Sequence, residues 1–137
     1  YFLYLLFLSQ FHLNSQKLSL YTTLTDTNKK EIKENDTITV TVEIENQSNN
    51  EGYEVVQLYI KDLYASVVRP IKELKAFKKE YFKPHETRQI KFEINVEMLK
   101  FWNEHLEYKT EQGEFKVYVG TDSVNVLEET FIYHILD

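Results

Sequence analysis

A chain of 137 residues with a net charge of −6 and no cysteine makes one domain held by packing alone, so disulfides, thiol catalysis and cysteine-zinc sites are excluded. Nucleic-acid binding requires surplus Lys and Arg to displace counterions, and 16 Lys+Arg against 22 Asp+Glu does not provide it. A hydrophobic share of 42%, ten Tyr, nine Phe, three Gly and two Pro describe a globular, strand-favouring chain without long low-complexity tracts.

The first eight residues, YFLYLLFL, are apolar. A bilayer span takes about 20 residues, and no basic n-region precedes them, so residues 1–11 read as a buried linker strand, not a membrane span or signal peptide. A chain opening at Tyr1 is expected to have lost upstream sequence. Residues 10–24 read as a first strand. In residues 37–45, TITVTVEIE, the apolar Ile38, Val40, Val42 and Ile44 alternate with Thr and Glu, the mark of a half-buried strand. A polar loop, NQSNNEG, leads to a second strong strand at 53–61, with Val56, Leu58 and Ile60 on one face and Val55 and Tyr59 on the other.

Residues 70–77 are ambiguous. Ile71, Leu74 and Phe77 are three apart and Pro70 stands at the start, which suits a helix. Tyr81 and Phe82 just beyond fit a strand better, and the segment is read as one. Alternation returns at 87–94 (Ile90, Phe92, Ile94), at 114–119 (Phe115, Val117, Val119) and at 129–136. Between them, residues 96–102 read as one short helical turn capped by Asn95, with Met98, Leu99 and Trp102 facing inward. Short strands at this spacing predict an all-β two-sheet sandwich.

Motifs for chemistry are missing. His12, His85, His105 and His134 show no i, i+4 or His-x-His spacing, so no metal site is expected. Ser66 lacks the Gly-x-Ser-x-Gly elbow of a nucleophile. Arg69, Lys72, Lys75, Lys78, Lys79 and Lys83 form the one basic concentration. Glu73 and Glu80 interrupt it, and a solvated strand face that discourages edge pairing is the simpler reading. Tyr59, Tyr64, Phe101, Trp102, Tyr108 and Tyr118 are candidate sugar-stacking rings, although most rings in a β domain fill a core or an interface. Asn35-Asp36-Thr37 and Asn46-Gln47-Ser48 match glycosylation sequons.

The run GYEVVQLYIKDLYASVVRPIKELKAF, residues 52–77, carries the most information. Its Gly52, Glu54-Val55-Val56-Gln57-Leu58-Tyr59, Asp62, Ser66, Arg69-Pro70 and Lys72-Glu73-Leu74-Lys75-Ala76-Phe77 resemble the fibronectin type III-like domain at the C-terminal end of family-three glycoside hydrolases, the β-glucosidases and β-xylosidases. Pro84-His85-Glu86-Thr87 and Gly113-Glu114-Phe115-Lys116-Val117-Tyr118-Val119-Gly120 continue the resemblance. Phe2, Tyr4, Leu6, Ser9, Gln10 and Phe11 resemble the segment by which that family enters the domain.

The resemblance implies an immunoglobulin-like β-sandwich over residues 12–137, with residues 1–11 as an interdomain linker segment. It implies a non-catalytic structural domain whose partners are the catalytic domains of the same parent polypeptide, with neither cofactor nor metal. A glycosidase needs two carboxyl groups about 5–9.5 Å apart, and in the family both lie on domains upstream. No catalytic residue carries over. For Asp62 and Glu73 a structural role, capping a loop or pairing with Arg69, outweighs catalysis. Phe2, Tyr4, Leu6, Tyr59, Tyr64 and Arg69 are the expected interdomain contacts. The alternative reading is a carbohydrate- or surface-binding module. The resemblance favours an extracellular or periplasmic location. In its departures, Leu3 and Leu5 replace glycines, and His85 replaces the Gly of a Pro-Gly turn. A type II turn needs φ above zero there, and a type I turn would relieve the conflict.

Overall fold

A computed structural model describes residues 18–27, 30–63, 72–102, 105–121 and 126–135, with backbone only for residues 23–27 and 126. The linker segment 1–11, and with it Phe2, Tyr4 and Leu6, lies outside the described residues, as do Tyr64 and Arg69.

Among the described residues ten strands follow one another: β1 (Leu20–Thr27), β2 (Glu31–Lys33), β3 (Thr37–Asn46), β4 (Gly52–Asp62), β5 (Glu73–Phe82), β6 (Thr87–Asn95), β7 (Phe101–Trp102), β8 (Tyr108–Lys109), β9 (Gly113–Gly120) and β10 (Val126–His134). A three-stranded sheet runs β1-β3-β6, a five-stranded sheet runs β2-β10-β9-β4-β5, and β7 and β8 form a small hairpin of their own. All pairings are antiparallel except β2 with β10, where Ile132, Tyr133 and His134 lie beside Glu31, Ile32 and Lys33 in parallel.

The alternation read from the sequence sets the core. Ile38, Val40, Val42 and Ile44 of β3 and Ile90, Phe92 and Ile94 of β6 line one layer. Val56, Leu58 and Ile60 of β4, Phe115, Val117 and Val119 of β9, and Phe131 and Tyr133 of β10 line the other. All belong to one buried cluster. Phe115 and Phe131 are register partners whose rings stack at 5.6 Å between centroids. The sandwich expectation is met.

Local readings fare differently. β1 runs over Leu20–Thr27, and residues 10–17 of the segment read as a first strand lie outside the described residues. The strand read at 70–77 is met from Glu73 onward by β5, where Leu58 and Ala76, then Tyr59 and Leu74, pair across a bulge that takes up Lys75. The predicted turn is a 3-10 helix over Val96–Leu99, with Asn95 Oδ1 accepting from Met98 N at 3.2 Å. Leu99 is buried and Met98 packs on the core. Trp102 does not face inward: it belongs to β7, pairs with Tyr108, and is 63% exposed. His85 keeps φ at 59°, so the chain does not take the type I escape. Glu86 N donates to Lys83 O at 3.2 Å to close the turn, and His85 Nε2 contacts Asn49 Oδ1 at 2.7 Å.

Candidate interdomain surface

A sandwich of two sheets has two outer faces, and here they differ in kind. On the three-stranded sheet the outward positions include Thr39, Thr41, Glu43 and Glu45 of β3 and Gln89, Lys91 and Glu93 of β6; Thr41 is buried and the others are part or fully exposed. Polar side chains in water are what a solvated face requires.

On the five-stranded sheet the outward positions of β4 are Val55, Gln57 and Tyr59, and all three are buried, Gln57 and Tyr59 completely. The cross-strand pairs place Lys79 beside Val55, Phe77 beside Gln57, and Tyr118 beside Tyr59. Lys72 lies over this floor, its Nζ 4.6 Å from the Tyr118 ring centroid and 5.6 Å from that of Tyr59. Lys79 Nζ sits 4.7 Å from the Tyr53 ring, which meets Tyr81 edge-on at 5.0 Å. Each cation-ring contact at an exposed site contributes about 0.5–1 kcal/mol. A hydrogen bond with Glu51, then burial, raises the Tyr81 phenol above its ordinary pKa. The Tyr59 hydroxyl donates to Gln57 Oε1, while Gln57 Nε2 is buried with no hydrogen-bond partner among the described residues.

Tyr59, expected at the contact, is therefore a covered floor residue. The rings this face presents to solvent are Tyr53 and Phe77. Phe77 is not among the contacts expected from the sequence, where its spacing from Leu74 bore only on helix against strand. Register against Gln57 is the signal that places it outward. The basic run divides: Lys75 pairs with Glu73 at 3.3 Å, Lys78 bonds the Lys91 carbonyl, and Lys72 and Lys79 cover rings. Asp62 is buried at the end of β4, and its proposed partner Arg69 lies outside the described residues. His85 and His134 contact Asn49 and Glu31 respectively, His105 is exposed, and His12 lies outside the described residues.

A second feature lies at one end of the sandwich. A cleft of about 470 Å³ is lined by the turn after β2, the 3-10 helix and the β7–β8 hairpin, with Glu34, Asn35, Asn95, Glu97, Lys100 and Lys109 among its walls. On the hairpin Trp102 and Tyr108 rings lie 5.2 Å apart at 40°. Leu106 at its tip is 81% exposed.

The pattern of the fibronectin type III-like domain family matches residues 54–123, more than half of the chain. The chain belongs to that family. As a fibronectin type III-like domain it is similar to the periplasmic β-glucosidase of Salmonella typhimurium, 43% identical over 94 residues, covering 69% of this chain and 12% of the relative. It is also similar to a putative β-xylosidase of Formosa agariphila, 41% identical over 111 residues, covering 81% and 15%. Among solved structures, β-glucosidase from Listeria innocua in complex with glucose superposes with a TM-score of 0.80 at 34% identity, over 87% of this chain and 17% of that one. The fibronectin type III-like domain thus spans less than a fifth of the relatives it matches. Among the described residues no helix is long and apolar enough to cross a membrane.

Proposed function

We propose that the chain is a non-catalytic structural domain of a β-glucosidase-like glycoside hydrolase, packing through the outer face of its five-stranded sheet against the catalytic domains of the same polypeptide. The observation that carries this reading is the asymmetry of the two outer faces. Val55, Gln57 and Tyr59 are neutral groups already covered within the chain where the other sheet carries mostly solvated ones, and the aromatic surface this face leaves to a partner is that of Tyr53 and Phe77. Each 100 Å² of apolar surface covered at such a contact contributes about 2.5 kcal/mol. The lysines at its margin, Lys72 and Lys79, fit a partner surface that carries carboxylates.

On this reading residues 1–11 are the interdomain linker and residues 12–137 the domain. Phe2, Tyr4, Leu6, Tyr64 and Arg69 join Tyr53 and Phe77 as contact residues. The bond-breaking carboxylates belong to the remainder of the parent, whose relatives by name are β-glucosidases and β-xylosidases.

The test is Phe77→Asp. In the parent polypeptide it is expected to lower the melting midpoint by about 3–8 °C, with KM for an aryl β-glucoside unchanged. In the isolated chain it is expected to reduce the self-association that light scattering detects. An unmoved parent midpoint, together with a wild-type chain that is strictly monomeric, would remove the reading.

A further inference from the structure

We infer that the cleft at the hairpin end of the sandwich, together with the Trp102–Tyr108 ring pair beside it, is a binding site for a neutral oligosaccharide of β-linked pyranoses. The β-linked class rests on the glycosidase reading above, whereas the site rests on its own geometry. A pyranose presents a flat C–H face and a rim of hydroxyls. It is held where an exposed ring adjoins planar hydrogen-bonding groups. Both lie here. Trp102 and Tyr108 are paired across β7 and β8 and share one side of the hairpin. Neither ring stands in the cleft wall itself, which supplies carboxylates, amides and ammonium groups.

Lys100 connects the two parts. It lines the cleft, its Nζ pairs with Glu97 at 3.0 Å, and the same Nζ lies 6.0 Å from the Tyr108 ring centroid. The polar groups are fixed before any ligand arrives. Asn95 spends Oδ1 on the helix cap, which leaves its amide donors, and Thr110 Oγ1 donates to Val96 O at 3.0 Å, which leaves its lone pairs. The wall carries both signs of charge, Glu34, Asp36 and Glu97 against Lys100 and Lys109, with Lys100 paired to Glu97 and Lys109 to Glu107, so a neutral ligand with hydroxyl donors and acceptors is compatible with it. Among the described residues no group of three or more His, Asp or Glu side chains could hold a metal ion. A volume of about 470 Å³ suits a ligand of two or three sugar rings.

Trp102 is the sole tryptophan of the chain, so its fluorescence reports this site alone. The experiment titrates the 137-residue chain with cellotetraose and xylotetraose, with maltotetraose and glycerol as controls. The expected result is a saturable shift of Trp102 emission with at least one β-linked sugar, half-complete near ~1 mM. Tyr108→Ala and Glu97→Gln, each folded by far-ultraviolet circular dichroism, are expected to weaken it at least ~10-fold. A flat titration to 10-fold beyond that concentration would overturn the proposal. So would a linear response that glycerol reproduces, a saturable response to maltotetraose alone, or wild-type binding in both variants. A flat titration beside an association that Phe77→Asp still weakens would remove the sugar site and leave the interdomain reading standing.

Discussion

Asn46 shows how one side chain can hold a connection. It is fully buried at the end of β3. Its Nδ2 donates to Asn50 O at 2.8 Å and Lys83 O at 3.0 Å, and its Oδ1 accepts from Ser48 N at 3.1 Å and Ser48 Oγ at 2.7 Å. It ties the β3–β4 loop to the β5–β6 turn, the two crossings between sheets at that end. In the sequence this residue reads as a glycosylation sequon. The four bonds show that its amide is already committed, and no local pattern could have revealed a partner 37 residues away. Asn46→Ala removes these four hydrogen bonds, and the expected loss is about 2–3 kcal/mol in urea denaturation. A change below a few tenths would mean that water replaces the amide without cost.

At the scale of elements, legibility followed length and alternation. β3 and β6 were read within a residue or two because nine or ten positions alternate without a break. β2 has three residues, and β7 and β8 have two each. Runs so short hold no period, and they exist because β10 and one another supply their hydrogen bonds. The Trp102 error has a related cause. An apolar residue after a helical turn reads as core, but a two-residue strand puts Phe101 and Trp102 on opposite faces and only Phe101 is buried. β9, between β10 and β4, is the element on which the larger sheet depends. Phe115→Ala removes the ring that stacks on Phe131 and leaves a cavity at the centre of the larger sheet. The expected cost is about 3–5 kcal/mol, read as a lowered urea midpoint with unchanged slope.

For the molecule as a whole, pH sensitivity should lie at the alkaline end. Burial, and then the nearby Glu34 carboxylate, raise the Tyr133 phenol above its ordinary value. The unfolded chain therefore gives up this proton first, near the ordinary value of about 10. The stabilisation is whole below that pH and is lost as pH climbs through the raised value of the folded state. The melting midpoint is expected to fall above pH ~10, and to fall less in Tyr133→Phe. Equal slopes in the two proteins would show that Tyr133 does not carry the effect. The family resemblance and the sandwich could be read from residues 52–123. The face that distinguishes this sandwich could not, because it depends on which strands become neighbours. With β4 flanked by β5 and β9, Tyr59 is covered and Phe77 is exposed on that face.

The parallel seam between β2 and β10 has a mechanical consequence. Tension that draws the chain before β2 away from the chain after β10 runs along both strands in opposite senses. The bonds along Ile132, Tyr133 and His134 are then loaded together in shear and cannot open one at a time. The seam is a clasp between β2 and the last described strand, and against a pull in that direction it behaves as a rigid link.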